Sequence, residues 1–210
     1  MAQEGLHSIK TRHRKGAVIK IDLSKACDKV SWLYLRLLLT HLGFCMNFIR
    51  WVMSCITTIS FVVLINGATS PFFHAERGLR QGCPLSPLLF LLVAEELSRY
   101  LKKALEEGDF KGIVISSNLN ISHLLFVDDI LIFCDGSRRS LQSLRYGLDL
   151  FHVATGMEIN AEKSYINWVN ISYETYNYLI ILFQFPNSPL NDGVKYLGFF
   201  LKMNGYKKGD

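Results

Sequence analysis

Several features are scarce in this sequence, and each scarcity excludes a class of protein. No apolar run approaches the roughly 18 to 20 residues that a membrane-spanning helix needs, and the longest unbroken one is Leu88 to Ala94. The opening residues MAQEGLHSIK lack the apolar stretch of a secretory signal. Both absences point to an intracellular protein, in the nucleus or cytoplasm, that is neither secreted nor membrane-bound. Cysteine is sparse: Cys27, Cys45, Cys55, Cys83 and Cys134 are odd in number and never form a C-x-x-C pair. Neither a disulfide framework nor a zinc knuckle is indicated. Charged residues make up only 20% of the chain, against 50% hydrophobic and 12% aromatic, so apolar burial can offset chain entropy and a disordered chain is excluded.

What is present amounts to one sizeable domain. The 210 residues give ample chain for a core. The net charge of +5 is unevenly placed. Residues 1–50 carry nine Lys and Arg against three Asp and Glu, and the remainder carries fourteen against fifteen. A basic front end suits a polyanion such as nucleic acid, and it suits an ordinary solvated surface equally well.

Read along the chain, residues 1–16 are a basic tail without periodicity. Ala17 to Ile21 is a short β-rich run that ends on Asp22. Ser31 caps a helix with Leu35, Leu38, Leu39 and Leu42 on one face, terminated by Gly43, and a second helix carries Phe48, Ile49, Val52, Cys55 and Ile56. Asn66-Gly67 between β-rich runs signals a hairpin, because both residues tolerate positive φ. Ser86-Pro87 opens the longest helix, which ends at Gly108. Strands follow at Gly112 to Ile115 and within Ile121 to Phe133, the last two folded around Asp128-Asp129. A helix over Ser140 to Ala154, a strand over Ser164 to Asn170, a helix over Ser172 to Phe183 and a strand over Val194 to Leu201 complete the pattern. Hairpins mixed with packed helices indicate an α+β layer fold rather than a parallel α/β one.

The segment His123 to Phe133 carries the most information. It places two adjacent aspartates inside an apolar stretch, and burying an ionised carboxylate is costly unless a cation or donor compensates it. Asp22 also ends an apolar strand. Two strands that each deliver carboxylates to one end can build an oxygen-rich site of the kind Mg²⁺ takes, with few carboxylates completed by water and substrate phosphates. An acidic turn in water remains the alternative for Asp128-Asp129 alone.

Five segments in order carry a resemblance: Ile21 to Asp28 (IDLSKACD), Arg77 to Phe90 (RGLRQGCPLSPLLF), Phe126 to Asp129 (FVDD), Gly156 to Asn160 with Lys163-Ser164, and Lys195 to Gly198 (KYLG). They resemble palm motifs A to D and the primer-grip motif E of reverse transcriptases of LINE-type (non-LTR) retrotransposons. The resemblance implies a polymerase palm over residues 17–201, an antiparallel sheet packed on helices, with residues 202–210 as a C-terminal tail. It also implies RNA-directed DNA synthesis from dNTPs on an RNA template and a DNA primer, with two Mg²⁺ ions as cofactor, for which Mn²⁺ can substitute. By that resemblance Asp22, Asp128 and Asp129 would hold the metal. Lys163 would protonate departing pyrophosphate. Gln81 and Gly82 would line the nucleotide pocket, and Tyr196, Leu197 and Gly198 would grip the primer end. Asp28 suits a first-turn acid of a helix better than a ligand.

Two departures accompany the resemblance. The fingers and thumb are largely missing, so the chain reads as a partial palm from a longer polyprotein. Cys27 stands where the family usually has Tyr or Phe, the aromatic that excludes a ribose 2′-hydroxyl. An isolated chain of this kind is therefore expected to be inactive. A catalytically inactive retrotransposon remnant that at most binds nucleic acid is the alternative to an active polymerase fragment.

Overall fold

A computed structural model describes residues 2–12, 14–116 and 119–202. Of the expected C-terminal tail, residues 203–210 lie outside that description. The chain divides into two compact units, one built from residues 1–24, 96–150 and 159–210, the other from 25–95 and 151–158. Helices α5 (Ser86–Glu106) and α6 (Arg138–Thr155) contribute residues to both.

The first unit centres on strand β1 (Gly16–Ser24). Its apolar half, from Ala17 to Ile19, is buried on both faces, and further on the pattern alternates so that Lys20, Asp22 and Ser24 are half-buried between the buried Ile21 and Leu23. That alternation is the period of a strand with one face in the core. β1 pairs antiparallel with β9 (Asp129–Cys134) on one side and with β11 (Tyr165–Val169) on the other. The sheet is completed by β8 (His123–Phe126) beyond β9 and by β12 (Asn187–Pro189), which lies parallel to β11. The short β10 (Glu158–Ile159) also pairs with β1. Two further strand pairs stand apart from this sheet, β6 (Ile113–Ser116) with β7 (Leu119–Ile121), just before β8 in the chain, and β13 (Val194–Tyr196) with β14 (Phe199–Leu201), after β12. Helix α7 (Tyr173–Phe183) is capped by Ser172, whose hydroxyl accepts from the Thr175 N–H. The α+β class stands, with helices and a sheet that is antiparallel apart from its β11–β12 pair.

Three elements differ from the sequence reading. Residues 2–11, expected as part of a basic tail, form helix α1 (Ala2–Thr11). Leu6 and Ile9, three apart and thus on one helical face, are buried in a cluster with Val18, Leu131, Phe133, Val194 and Tyr196. The polar residues around them hide that face from a periodicity search. The strand expected over Val194 to Leu201 is a hairpin, because Leu197 and Gly198 take φ of 50° and 81°. The turn expected at Asp128-Asp129 lies one residue earlier, since Phe126 pairs with Asp129 and leaves Val127 and Asp128 as the loop.

In the second unit, α2 (Ala26–Lys29) leads to α3 (Trp32–His41), whose N-cap Ser31 accepts from the Tyr34 N–H as its sequence suggests. Helix α4 (Met46–Thr57) buries Ile49, Val52 and Ile56 on one face. The Asn66-Gly67 turn joins β3 (Leu64–Ile65) to β4 (Ala68–Thr69), and β2 (Ser60–Phe61) pairs with β5 (Phe73–His74) further out. Asn66 and Gly67 both have positive φ, 49° and 84°. Gly78 (φ 89°) is needed for a second reason: a Cβ there would lie 2.4 Å from the Asp28 carbonyl oxygen.

Candidate active site

The register of β1 against β9 places Asp22 directly opposite Asp129. Paired residues in a ladder project to the same face, so the two half-buried carboxylates are close neighbours. Asp128, the residue just before Asp129, is exposed in the loop. That loop is strained, because Val127, a β-branched residue, takes φ 55°. Among the described residues, no group of three or more His, Cys, Asp or Glu side chains is gathered closely enough to hold a metal ion. The structure therefore brings Asp22 and Asp129 together, with Asp128 next to Asp129 in sequence rather than in a closed triad.

The backbone of Asp22 is held from the far side. Its N–H donates to the Ser164 hydroxyl at 3.1 Å, and its carbonyl accepts from the Asn160 N–H at 2.9 Å. Ser164 is buried. Sequence reading picked out the neighbouring Lys163 and passed over Ser164 as a positioning residue; a small hydroxyl immediately before the strand run Tyr165 to Val169 was the available signal. Lys163 itself is exposed, and its N–H donates to the Asn160 side-chain oxygen at 3.2 Å.

Lys20, two residues before Asp22, places its ammonium 3.0 Å from Asp129 Oδ1. With Lys163 and Lys195 it also lines a cavity of about 370 Å³ whose walls include Tyr165 and Phe200. Tyr196 is only 8% exposed and belongs to the core cluster with Leu6 and Ile9. Burial raises its phenol above the ordinary range, and the negative charge of Asp129 raises it further. Of the expected primer-grip residues, Tyr196 thus faces inward, whereas Leu197 and Gly198 form an exposed turn followed by the exposed Phe199 and Phe200.

The remaining candidates lie in the second unit. Cys27 is half-buried, and its carbonyl accepts from the Leu79 N–H at 2.8 Å. Gln81 is exposed and donates from Nε2 to Asp28 Oδ1 at 3.3 Å. Gly82 has φ 82° and open space where a Cβ would stand. Gln81, Arg77, Arg80 and Asp28 line a cavity of about 470 Å³. Beside it in sequence, the Cys83 thiol is lowered from its ordinary value, chiefly by a hydrogen bond from the Leu85 backbone. By contrast, burial pushes the Cys134 thiol up to about 12.

The donor set is chemically suited to a hard cation. Asp22 and Asp129 offer only carboxylate oxygens, and Mg²⁺ is characteristically held by one or two carboxylates plus water and substrate phosphates rather than by a full protein cage. A lysine ammonium already lies against one of them, which shows that the position accepts positive charge.

Comparison with known proteins points to a family. The family model for reverse transcriptase (RNA-dependent DNA polymerase) matches residues 1–201. An uncharacterized mitochondrial protein of Arabidopsis thaliana is 51% identical over 67 residues, which cover 31% of this chain and 55% of that protein. A retrovirus-related Pol polyprotein from the type-1 retrotransposable element R2 of Popillia japonica is 31% identical over 160 residues, or 75% of this chain and 25% of the polyprotein. The chain thus spans about half of the first relative and a quarter of the second. Among solved structures, telomerase from Candida albicans superposes with a TM-score of 0.60 at 14% identity, covering 83% of this chain and 31% of the telomerase. At that identity the likeness is one of fold. No helix among the described residues is long and apolar enough to cross a membrane.

Proposed function

Since the chain belongs to the reverse transcriptase family (RNA-dependent DNA polymerases), we propose that it is the catalytic palm portion of a retrotransposon polymerase, with Asp22 and Asp129 holding divalent metal and Asp128 contributing from the adjoining loop. The observation that carries this reading is the register pairing of Asp22 with Asp129. Divalent cations bound there, Mg²⁺ or Mn²⁺, would supply the charge that supports the attacking and leaving oxygens of phosphoryl transfer. In that transfer the primer 3′-oxygen forms a bond to the α-phosphorus of a dNTP, the bond to pyrophosphate breaks, and the proton of the primer hydroxyl passes to solvent. Lys163 is exposed and free of the core, as a residue that hands a proton to the departing pyrophosphate must be. Ser164 and Asn160 keep Asp22 in place through its backbone. RNA template and DNA primer are the proposed partners. Gln81, Gly82 and Cys27 carry proposed contacts to the incoming nucleotide on the strength of the motif resemblance, and Leu197 and Gly198 carry the proposed contact to the primer end.

The test is a chimera in which residues 17–201 replace the matching segment of an R2-type Pol polyprotein. Primer extension on an RNA template is expected, and Asp22→Asn or Asp128→Asn should abolish it. A folded chimera that binds template and primer without extending them would favour the inactive, nucleic-acid-binding remnant. The isolated chain is expected to bind template-primer duplex weakly, with affinity falling as salt rises, and to extend nothing, because positioning supplies much of the catalysis in such reactions.

A further inference from the structure

We propose that Lys20 is a positioning residue of this site: its ammonium holds Asp129 as an internal counter-cation in the metal-free protein and yields that carboxylate to an incoming divalent cation. The inference rests on the reading of Asp22 and Asp129 as metal ligands, and the geometry gives Lys20 its part. Lys20 and Asp22 are two apart on β1 and so share a face. Opposite Asp22 is Asp129, and opposite Lys20 is Leu131, so the 3.0 Å ion pair runs diagonally across the two strands. A long side chain spans such a diagonal readily.

Two like charges directly opposed on a ladder repel, and a single ammonium compensates only one of them. A divalent cation supplies the charge that is still lacking, and it must compete with Lys20 for the oxygens of Asp129. On its other side, Lys20 borders the cavity that also carries Lys163 and Lys195, whose charges favour keeping its ammonium on the Asp129 side until a cation arrives. The side-chain exposures of 21% for Lys20 and 25% for Asp129 place the pair where solvent screening is partial. Lysine fits the task better than arginine, since a hydrated point charge on a flexible stem releases a carboxylate more easily than a bidentate fork does.

The experiment measures Mn²⁺ binding to the metal-stripped 210-residue chain by electron paramagnetic resonance. Lys20→Met should bind Mn²⁺ more tightly, by roughly fivefold or more, the lower end of typical coupling between two binding events. Its melting temperature without metal should fall below that of the parent, and Mn²⁺ should restore it. Lys20→Arg, which keeps both the charge and the bulk, should bind Mn²⁺ more weakly than the parent. Unchanged or weaker binding in a folded Lys20→Met overturns the proposal, and if that variant does not fold, equal or tighter binding in Lys20→Arg overturns it instead. Asp129→Asn separates this from the underlying reading. Should Asp129→Asn lose Mn²⁺ while both Lys20 variants match the parent, only the role of Lys20 falls; Mn²⁺ binding that survives Asp129→Asn removes the metal site itself, and the proposal with it.

Discussion

Asp22 of β1 and Asp129 of β9 face each other as register partners, while the chemically identical Asp128, one residue away, stands in an exposed loop. Two adjacent aspartates are thereby given different surroundings. Asp129 gains Lys20 and the neighbourhood of the buried Tyr196, and Asp128 gains solvent and freedom to meet a ligand.

The first prediction concerns the cost of that opposition. Asp22→Asn removes one of two facing like charges, so it should stabilise the metal-free chain by about 0.2 to 1 kcal/mol while weakening Mn²⁺ binding. Urea unfolding in the presence of a chelator gives the first quantity, and Mn²⁺ titration gives the second. A destabilised variant would show that the two carboxylates do not repel in the free protein.

Val127 provides the second. A β-branched residue at φ 55° is strained, and strain of this kind costs about 1 to 3 kcal/mol. Val127 is 52% exposed, so little packing is lost on its removal. Val127→Gly should raise the melting temperature even though glycine adds entropy to the unfolded chain. A lower melting temperature would mean that contacts of the valine outweigh the strain.

The third follows from helix α1. Ile9 is fully buried in the core cluster, so Ile9→Ala should cost about 2 to 5 kcal/mol in denaturant unfolding, whereas a residue in a solvated tail would cost nearly nothing. Loss of that magnitude would also establish that residues 2–11 belong to the folded unit.

The fourth uses the phenol of Tyr196. Its pKa in the folded chain is raised, first by burial and then by Asp129, so the unfolded chain loses this proton first as pH rises past the ordinary value of about 10. Stability that depends on the neutral phenol is therefore fully present below about pH 10 and is lost as pH climbs through the folded value. Tyr196→Phe keeps the ring and removes the titration, and its melting temperature should decline less steeply than the parent's above about pH 10. Identical alkaline slopes would place Tyr196 in a solvated site.

What the sequence determined by itself was mostly local chemistry. Ser31 and Gly43 bound a helix because capping and positive φ involve only a few neighbouring residues, and Asn66-Gly67 makes its turn for the same reason. The apolar runs around Asp22 and around Asp128-Asp129 announced strands carrying carboxylates, and the ordered motifs announced the family. Which of two adjacent aspartates faces Asp22 was decided only by the pairing of β1 with β9, since a one-residue shift of register turns a side chain to the other face. Tertiary packing likewise made a helix of residues 2–11, whose two apolar anchors gain their stability from a core assembled from residues as distant as Tyr196. The contacts of Lys20 and Ser164 with the two aspartates belong to the same class. Each depends on residues far apart in the chain arriving side by side, and such encounters leave no mark in the local pattern of either partner.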